Sequence, residues 1–220
     1  MIPLKDDLPT RTTPVVTVGL IAVNILVFFY ELSLGPAAEE FVFNFGAIPS
    51  NLVHGLKGGA PAILAASSVL TSMFLHGGFM HVAGNMLYLW IFGNNIEDVT
   101  GHFSFILFYL LCGVAAAYTH TLIDPLSHVP MIGASGAISG VLGAYILLFP
   151  HAKVLTLVPI FFFIRIIQIP AVIVLGLWIL VQFLNGLGGP QQAGGVAWFA
   201  HIGGFLTGMV LIFFFKKRRR

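Results

Sequence analysis

The sequence predicts an all-α, polytopic membrane protein with six transmembrane helices and both termini in the cytoplasm. Of the 220 residues, 58% are apolar and only 8% are charged, whereas about 25% of the residues in an ordinary soluble domain are charged. The mean hydropathy is +0.97. The few charges also leave five uncharged runs that can each hold one or two spans of about 20 residues. A soluble enzyme and a nucleic-acid-binding module are therefore excluded.

Net charge and cysteine content exclude further kinds of site. The net charge is +2, but five of the ten Lys and Arg residues are the last five of the chain, 216–220. This basic cluster is a local feature and does not form a phosphate-binding face. The single cysteine, Cys112, excludes an internal disulfide and a cysteine-rich metal site.

The first predicted span covers residues 14–31. It begins after Arg11, and its core, 15–30, is almost purely apolar. A cleaved signal peptide is the alternative interpretation of this segment. The run is longer than a typical signal-peptide core, and Asp6 and Asp7 oppose the basic flank that such a peptide requires.

The connection 32–77 is predicted as a long outer loop. It contains two short amphipathic pieces, 39–43 and 52–56, which we expect at the membrane interface. The last uncharged run holds two spans because glycines and a proline interrupt it at 186–190. The five further predicted spans are residues 78–95, 103–121, 133–149, 170–186 and 198–215.

Basic residues set the predicted orientation. Lys5 and Arg11 precede the first span, Lys153 follows the fourth, and the basic cluster follows the sixth. Six spans place all of them on one face, which the positive-inside rule assigns to the cytoplasm. Residues 1–13 and 216–220 are then cytoplasmic tails of a single membrane domain, 1–220.

The connection between the fourth and fifth spans contains one charge. Residues 154–168 are uncharged except for Arg165. An arginine at mid-bilayer costs about 2.5–3.5 kcal/mol, so we place Arg165 near the cytoplasmic surface. No part of this connection is predicted as a strand.

Two polar residues share one depth in the predicted bundle. Ser135 lies at the start of the fourth span and His201 lies four residues into the sixth, and both spans are predicted to run from outside to inside. Polar groups within a membrane are costly and therefore indicate function. A histidine within hydrogen-bond reach of a serine hydroxyl activates it as a nucleophile. The alternatives are a helix-packing serine and a histidine bonded to a loop carbonyl.

Small residues accompany both polar groups. Gly136 and Gly140 follow the serine, and Gly204 and Gly208 follow the histidine. Glycines at four-residue spacing let helix backbones approach closely. The spacing predicts that the fourth and sixth spans pack together and bring the two polar side chains into contact.

A second polar pair begins the second span. His81 and Asn85 are four residues apart and therefore lie on one helix face. Donors of these types can stabilise a developing oxyanion, and interhelical hydrogen bonding is the alternative. A zinc site built from His76, His81 and His201 is the competing chemistry, but the chain has no H-E-x-x-H pattern. No carboxylate is placed in the outer half of any predicted span. We therefore expect a Ser–His dyad, with no metal and no cofactor.

These residues, in this order, resemble the rhomboid intramembrane serine proteases. The resemblance covers nearly the whole chain and rests on an ordered set of motifs. The motifs are FGAIP at 45–49, TSMFLHGGFMH at 71–81, GNM at 84–86, FGNNIED at 92–98, GASG at 133–136 and AHIGG at 200–204.

The resemblance implies roles for five residues. Ser135 is then the nucleophile and His201 the general base, while His81, Asn85 and the backbone N–H of Ser135 form the oxyanion hole. Glu97 resembles the structural acid of the family. The implied fold is a rhomboid-like bundle in a cell inner membrane, with the active site near the outer face.

The resemblance also implies the partners. Substrates are transmembrane proteins that come in laterally from the lipid membrane, and no nucleic acid is involved. We expect the glycine-rich loop 187–197 and the outer end of the fifth span to form the gate. The sequence assigns no oligomeric state.

Two features depart from the family pattern. Some members carry a Trp-Arg pair in the first loop, and 32–77 has none. Some have an aromatic residue four positions after the nucleophile, where this chain has Ser139, so the support of His201 stays open. Two rival functions are an inactive rhomboid-like protein that binds membrane clients and a small transporter. A transporter usually has its site at the bilayer midplane.

Overall fold

The computed structural model describes residues 1–57, 62–160, 163–188 and 196–217. Within these ranges the chain forms ten α-helices and one small β-sheet. The helices are α1 Val15–Ser33, α2 Ala38–Phe45, α3 Pro49–Leu56, α4 Ala62–Thr71, α5 Phe79–Tyr88, α6 Asn94–Thr100, α7 His102–Ile123, α8 Ser135–Leu148, α9 Ala171–Leu187 and α10 Trp198–Phe215. The strands are β1 Ile2–Asp6, β2 Lys153–Ile160 and β3 Phe163–Pro170.

The helices confirm a mostly helical membrane protein. Among the described residues, α1, α7 and α10 are long and apolar enough to cross a bilayer by themselves. A fourth candidate is a pair of helical stretches, Ile63–Phe74 and Phe79–Thr100, which meet at an angle of 82°. Helices satisfy their own backbone groups, as a segment in lipid must. The described part of the chain therefore has three or four candidate spans by length and composition.

The expectation of six spans is not confirmed by helix length and composition. Helices occupy all six predicted segments, but α8 has 14 residues and α9 has 17. At 1.5 Å per residue, α8 is about 21 Å long and shorter than a hydrocarbon core of about 30 Å. The second segment instead extends beyond 95 to Thr100, with a π-helical turn at Leu89–Gly93 between α5 and α6. The orientation of the termini stays a prediction.

The fold class needs one correction, because the protein is not all-α. Strands β1, β2 and β3 form an antiparallel sheet in that order. The sequence analysis places residues 2–6 in a tail and assigns no secondary structure to residues 154–168. The β2–β3 hairpin is rich in Val, Ile and Thr, whose branched side chains favour strands. The hairpin is also mostly apolar, so hydropathy alone does not distinguish it from a membrane-spanning segment.

The connection 32–77 is largely helical. The two amphipathic pieces predicted at 39–43 and 52–56 lie within α2 and α3. A short antiparallel bridge pairs Ala47 with Met131 and ties this connection to the segment that leads into α8. The connection therefore helps to fix where α8 begins.

The core of the bundle is centred on α8. This helix packs against α7 and α10, and most of its residues are buried. Cys112 of α7 is fully buried against it. At one end of α8, the hydroxyl of Tyr145 donates to the Asp6 carboxylate at 2.6 Å and ties the sheet to the helix. Ser135 lies at the other end.

Candidate active site

Ser135 is the first residue of α8. The chain reaches it through Gly133, whose φ of +114° is strained for any residue with a side chain. The N–H of Gly133 donates to the carbonyl of Ser72 at 2.9 Å, which fixes this turn. Because the first N–H groups of a helix have no partner within it, backbone donors are available beside the serine.

The structure brings Ser135 and His201 together. The Nε2 atom of His201, on α10, is 2.8 Å from the Oγ atom of Ser135. His201 is only 8% exposed, so water competes weakly for this hydrogen bond. The arrangement is that of a hydroxyl next to its general base.

Close backbone contact between α8 and α10 makes this hydrogen bond possible. A Cβ atom at Gly204 would collide with the carbonyl oxygen of Gly136, and one at Gly208 would collide with that of Gly140. Larger residues at either glycine would push the two helices apart. The glycine spacing noted in the sequence therefore corresponds to a direct backbone contact.

A third residue completes a chain of hydrogen bonds, and the sequence analysis missed it. The Nδ1 atom of His201 is 2.8 Å from Oε1 of Gln182 on α9, and Gln182 is 5% exposed. Its Nε2 atom donates to the Trp178 carbonyl at 3.2 Å. The available signal is a single amide in the otherwise apolar run 171–184 of α9.

The imidazole is supported by tryptophans instead of an aromatic residue on α8. The ring centroids of Trp178 and His201 are 5.8 Å apart, and Trp198 lies edge-on at 6.3 Å. Ser139 occupies the position where some family members have an aromatic side chain, and its hydroxyl donates to the carbonyl of Ser135 at 2.6 Å. The residues that brace His201 therefore come from α9 and from the start of α10.

His81 lies directly over the turn before the serine. Its Nδ1 accepts the N–H of Gly77 at 3.3 Å, so the other ring nitrogen, Nε2, carries the proton in the neutral imidazole. A Cβ atom at Gly133 would lie 2.6 Å from this Nε2 and 3.5 Å from Nδ2 of Asn85. Two side-chain donors thus converge on a space that exists only because residue 133 is glycine.

Asn85 is held in place by His76. The Nδ2 atom of Asn85 is 3.0 Å from Nε2 of His76, and both residues are buried. An amide nitrogen carries two hydrogens, so one bond to His76 leaves the second free to face the serine. His76 therefore supports a donor, and among the described residues no cluster of His, Cys, Asp and Glu is arranged to hold a metal ion.

One expectation about carboxylates is wrong. Glu31, at the last turn of α1, is 4% exposed, and its carboxylate accepts the backbone N–H of His76 at 3.2 Å. A carboxylate therefore does lie beside the site, although it contacts the support of Asn85 and not His201. The sequence analysis used charged residues only to mark where spans end, so it did not recognise Glu31 as a buried group.

Glu97 lies far from the reacting groups and is completely buried. Its carboxylate accepts the N–H of Val16 at 3.0 Å and both the N–H and the hydroxyl of Thr17 at 2.7 Å. His102 Nδ1 is 2.5 Å away. Because a negative charge is favourable at the positive end of a helix, Glu97 fastens the first turn of α1 to α6.

A cleft of about 600 Å³ opens onto the serine. Its walls come from α5, the segment 129–132, α8, α9 and the start of α10, and they include the side chains Ser135, His201, His81, Asn85 and Gln182. The predicted gate loop 187–197 lies mostly outside the described residues, at 189–195. The described wall between α5 and α9 includes Met80 and Trp178.

Comparison with known proteins identifies relatives. A family model described as Rhomboid domain matches residues 65–218. The chain is 32% identical over 159 residues to Rhomboid protein 1, mitochondrial, of Saccharomyces cerevisiae, and 36% identical over 132 residues to Rhomboid protease GluP of Bacillus subtilis. It is 30% identical over 133 residues to Presenilin-associated rhomboid-like protein, mitochondrial, of Bos taurus. These alignments cover 68%, 60% and 58% of the chain but only 42%, 24% and 35% of the relatives.

Proposed function

The chain belongs to the rhomboid family, and from that premise we propose that it is an intramembrane serine endopeptidase. It would hydrolyse peptide bonds within or next to the transmembrane segments of other membrane proteins. The 2.8 Å contact between Ser135 Oγ and His201 Nε2 carries this proposal. The name of the GluP relative, a rhomboid protease, agrees with it.

The site geometry suggests how acylation proceeds. Oγ of Ser135 attacks the carbonyl carbon of the substrate while Nε2 of His201 takes the hydroxyl proton. The carbonyl oxygen becomes an oxyanion next to Nε2–H of His81, Nδ2–H of Asn85 and the backbone N–H of Ser135. Preorganised donors at such a position are often the largest single contribution to catalysis.

The second half of the reaction restores the enzyme. The imidazolium of His201 gives its proton to the leaving amide nitrogen, and the peptide bond breaks to leave an acyl-enzyme on Ser135. His201 then takes a proton from a water molecule, whose oxygen attacks the ester carbonyl. Collapse of the second oxyanion releases the acid product and returns the proton to the serine.

The position of the cleft supports access from the lipid. A substrate helix hides its carbonyl groups in internal hydrogen bonds, so it must unwind locally before Ser135 can attack it. The cleft lies between α5 and α9, whose outward faces carry exposed apolar residues such as Met80 and Leu184. We place the lateral opening between these two helices.

The cellular membrane is part of the proposal. The chain is a membrane protein by family and by its apolar helices. The positions of the basic residues favour a cell inner membrane with the active site near the outer face. The names of the yeast and bovine relatives place those proteins in mitochondria.

Cleavage of a membrane substrate tests the proposal. The protein is reconstituted in vesicles with a single-span substrate whose helix contains a small residue followed by glycines, and products are identified by mass spectrometry. Cleavage inside or beside the span is expected for the wild type and for the control Ser104→Ala, which alters a serine of α7. Ser135→Ala should give no product, and equal cleavage by Ser135→Ala would overturn the proposal.

An inactive client-binding protein is the second candidate. The names of several relatives state no protease activity. Substrate that co-purifies with a folded wild-type protein but is never cleaved would favour this function. The retained serine, histidine and oxyanion donors favour the protease.

A further inference from the structure

Gln182 belongs to no motif quoted for the family, yet it is the partner of His201 on the side away from the serine. Nδ1 of His201 and Oε1 of Gln182 are 2.8 Å apart, and both side chains are buried. Nε2 of Gln182 lies 3.2 Å from the Trp178 carbonyl one helical turn earlier. The amide is therefore engaged at both ends.

These contacts define which end of the amide faces the imidazole. A carbonyl oxygen only accepts hydrogen bonds, so the Trp178 carbonyl requires the NH₂ group of Gln182. If the amide were turned over, two acceptor oxygens would face each other at this distance. The Gln182 oxygen therefore points at His201 and must receive a hydrogen from Nδ1.

The orientation of the amide in turn defines the tautomer of the histidine. With the proton on Nδ1, neutral His201 has its lone pair on Nε2, where it faces Oγ of Ser135 at 2.8 Å. A base must present a lone pair to the proton that it takes. The opposite tautomer would present N–H to the serine and leave two acceptors, Nδ1 and the Gln182 oxygen, in contact.

We propose that Gln182 is a positioning residue that holds His201 in the Nδ1–H tautomer through a neutral amide acceptor. This inference rests on the proposed protease function. Gln182 takes the place that a carboxylate has in a Ser–His–Asp triad, but it brings no charge into a buried site. The two tryptophans pack against the imidazole ring. The amide fixes the rotation of the ring and the nitrogen that carries its proton.

Catalysis should therefore depend on the acceptor oxygen of Gln182. Without it, the buried Nδ1–H group has no partner, and an unpaired buried donor favours the other tautomer or a rotated ring. Removing a hydrogen-bond partner that orients a metal-binding histidine costs about 10- to 100-fold in function. We expect a loss of similar size here.

Four variants separate this role from general packing. Gln182→Met keeps the approximate length of the side chain but removes the acceptor. Gln182→Asn keeps the amide but is one methylene shorter, so it withdraws the acceptor and provides a second test if the methionine variant does not fold. Gln182→Glu retains an acceptor for Nδ1, and in its protonated form its second oxygen donates to the Trp178 carbonyl. Asn185→Leu removes an exposed amide on the same helix, away from His201, and is the matched control.

Two measurements are made on each variant in detergent or lipid nanodiscs. The first is the rate at which a fluorophosphonate probe labels Ser135. The second is the ¹⁵N spectrum of isotopically labelled histidine, with His201 assigned by comparison with His201→Ala, because the two tautomers give different ring nitrogen shifts.

The expected pattern is specific. Wild type and Asn185→Leu show the Nδ1–H tautomer and label at rates within a few-fold of one another, and Gln182→Glu shows the same tautomer. Gln182→Met and Gln182→Asn lose the single tautomer and label about 10- to 100-fold more slowly. Wild-type tautomer and labelling rate in either of these two variants would overturn the inference. Absence of labelling in folded wild type would instead refute the protease function, while the tautomer measurement would still test Gln182.

Discussion

His201 is hydrogen-bonded at both ring nitrogens, to Ser135 on one side and to Gln182 on the other. The oxyanion donors have supports of their own, since Gly77 fixes the His81 ring and His76 fixes the Asn85 amide. Each reacting group is therefore oriented by a neighbour that does not react. Such supports hold side chains in place before a substrate binds, as a preorganised site requires.

Replacing Asn85 tests the oxyanion site. Asn85→Ala removes the donor but leaves the serine and histidine in contact, so the transition state loses stabilisation and the ground state does not. We expect kcat for substrate cleavage to fall by about 10²–10³-fold with little change in KM. Asn185→Leu is the amide control on α9, and unchanged kcat in Asn85→Ala would contradict the assignment.

The sequence predicted the reacting residues better than their supports. Ser135, His201, His81 and Asn85 were found because polar side chains at one depth in an apolar chain are conspicuous and because the motifs match a family. Gln182 was missed because a single polar side chain in a span is equally typical of helix packing, and Glu31 was missed because it was counted only as the end of a span. Only the three-dimensional arrangement shows which atoms they face.

At the scale of elements, the site depends on how closely α8 and α10 approach. The carbonyl oxygens of Gly136 and Gly140 occupy the space where Cβ atoms of Gly204 and Gly208 would lie. This contact joins the helix that carries the serine to the helix that carries the histidine. The proposed mechanism therefore depends on this backbone contact, although no backbone atom there reacts.

A methyl group at this contact should separate the two helices. Gly204→Ala is expected to lower stability by about 1–3 kcal/mol through overpacking. It should also slow substrate cleavage on the order of 100-fold, because a misplacement of about 1 Å costs that much. Melting temperature and cleavage rate are the measurements.

Gly176→Ala is the matched control for this prediction. It adds the same methyl group on α9, where nothing lies within 4 Å of the new Cβ atom. The control should keep its melting temperature and its activity. Wild-type cleavage by Gly204→Ala would show that the close approach of α8 and α10 is not required.

The helices were predictable from hydropathy, but their lengths and the sheet were not. Hydropathy marks where apolar residues are and says little about how far a helix continues, so α8 and the Phe79–Thr100 segment differ from the predicted spans. The β1 strand pairs with β2 from more than 140 residues away. Such a pairing is set by tertiary contacts, and no local pattern in residues 2–6 specifies it.

At the scale of the whole molecule, the cleft lies between two helices that have different tasks. α5 carries the proposed oxyanion donors His81 and Asn85, and α9 carries Gln182. On the proposed route, a substrate that comes in between them passes both sets of groups. Access and chemistry are therefore coupled through the same pair of helices.

A tether between α5 and α9 tests lateral access. Cys112 is fully buried, so one cysteine placed on the exposed face of each helix can be joined selectively with a bifunctional maleimide. The tether should suppress cleavage of a transmembrane substrate. It should leave fluorophosphonate labelling unchanged, since α9 stays in place and Gln182 keeps its contact. Unchanged turnover of the membrane substrate in the cross-linked protein would contradict this route.

The most direct test of the account is fluorophosphonate labelling of the purified protein, because it reports whether Ser135 is an activated nucleophile. Wild type and the controls Ser104→Ala and His54→Ala should be labelled at one site, mapped to Ser135. Ser135→Ala and His201→Ala should not be labelled although they remain folded. No labelling of folded wild type, or equal labelling of His201→Ala, would contradict the central claim that His201 activates Ser135.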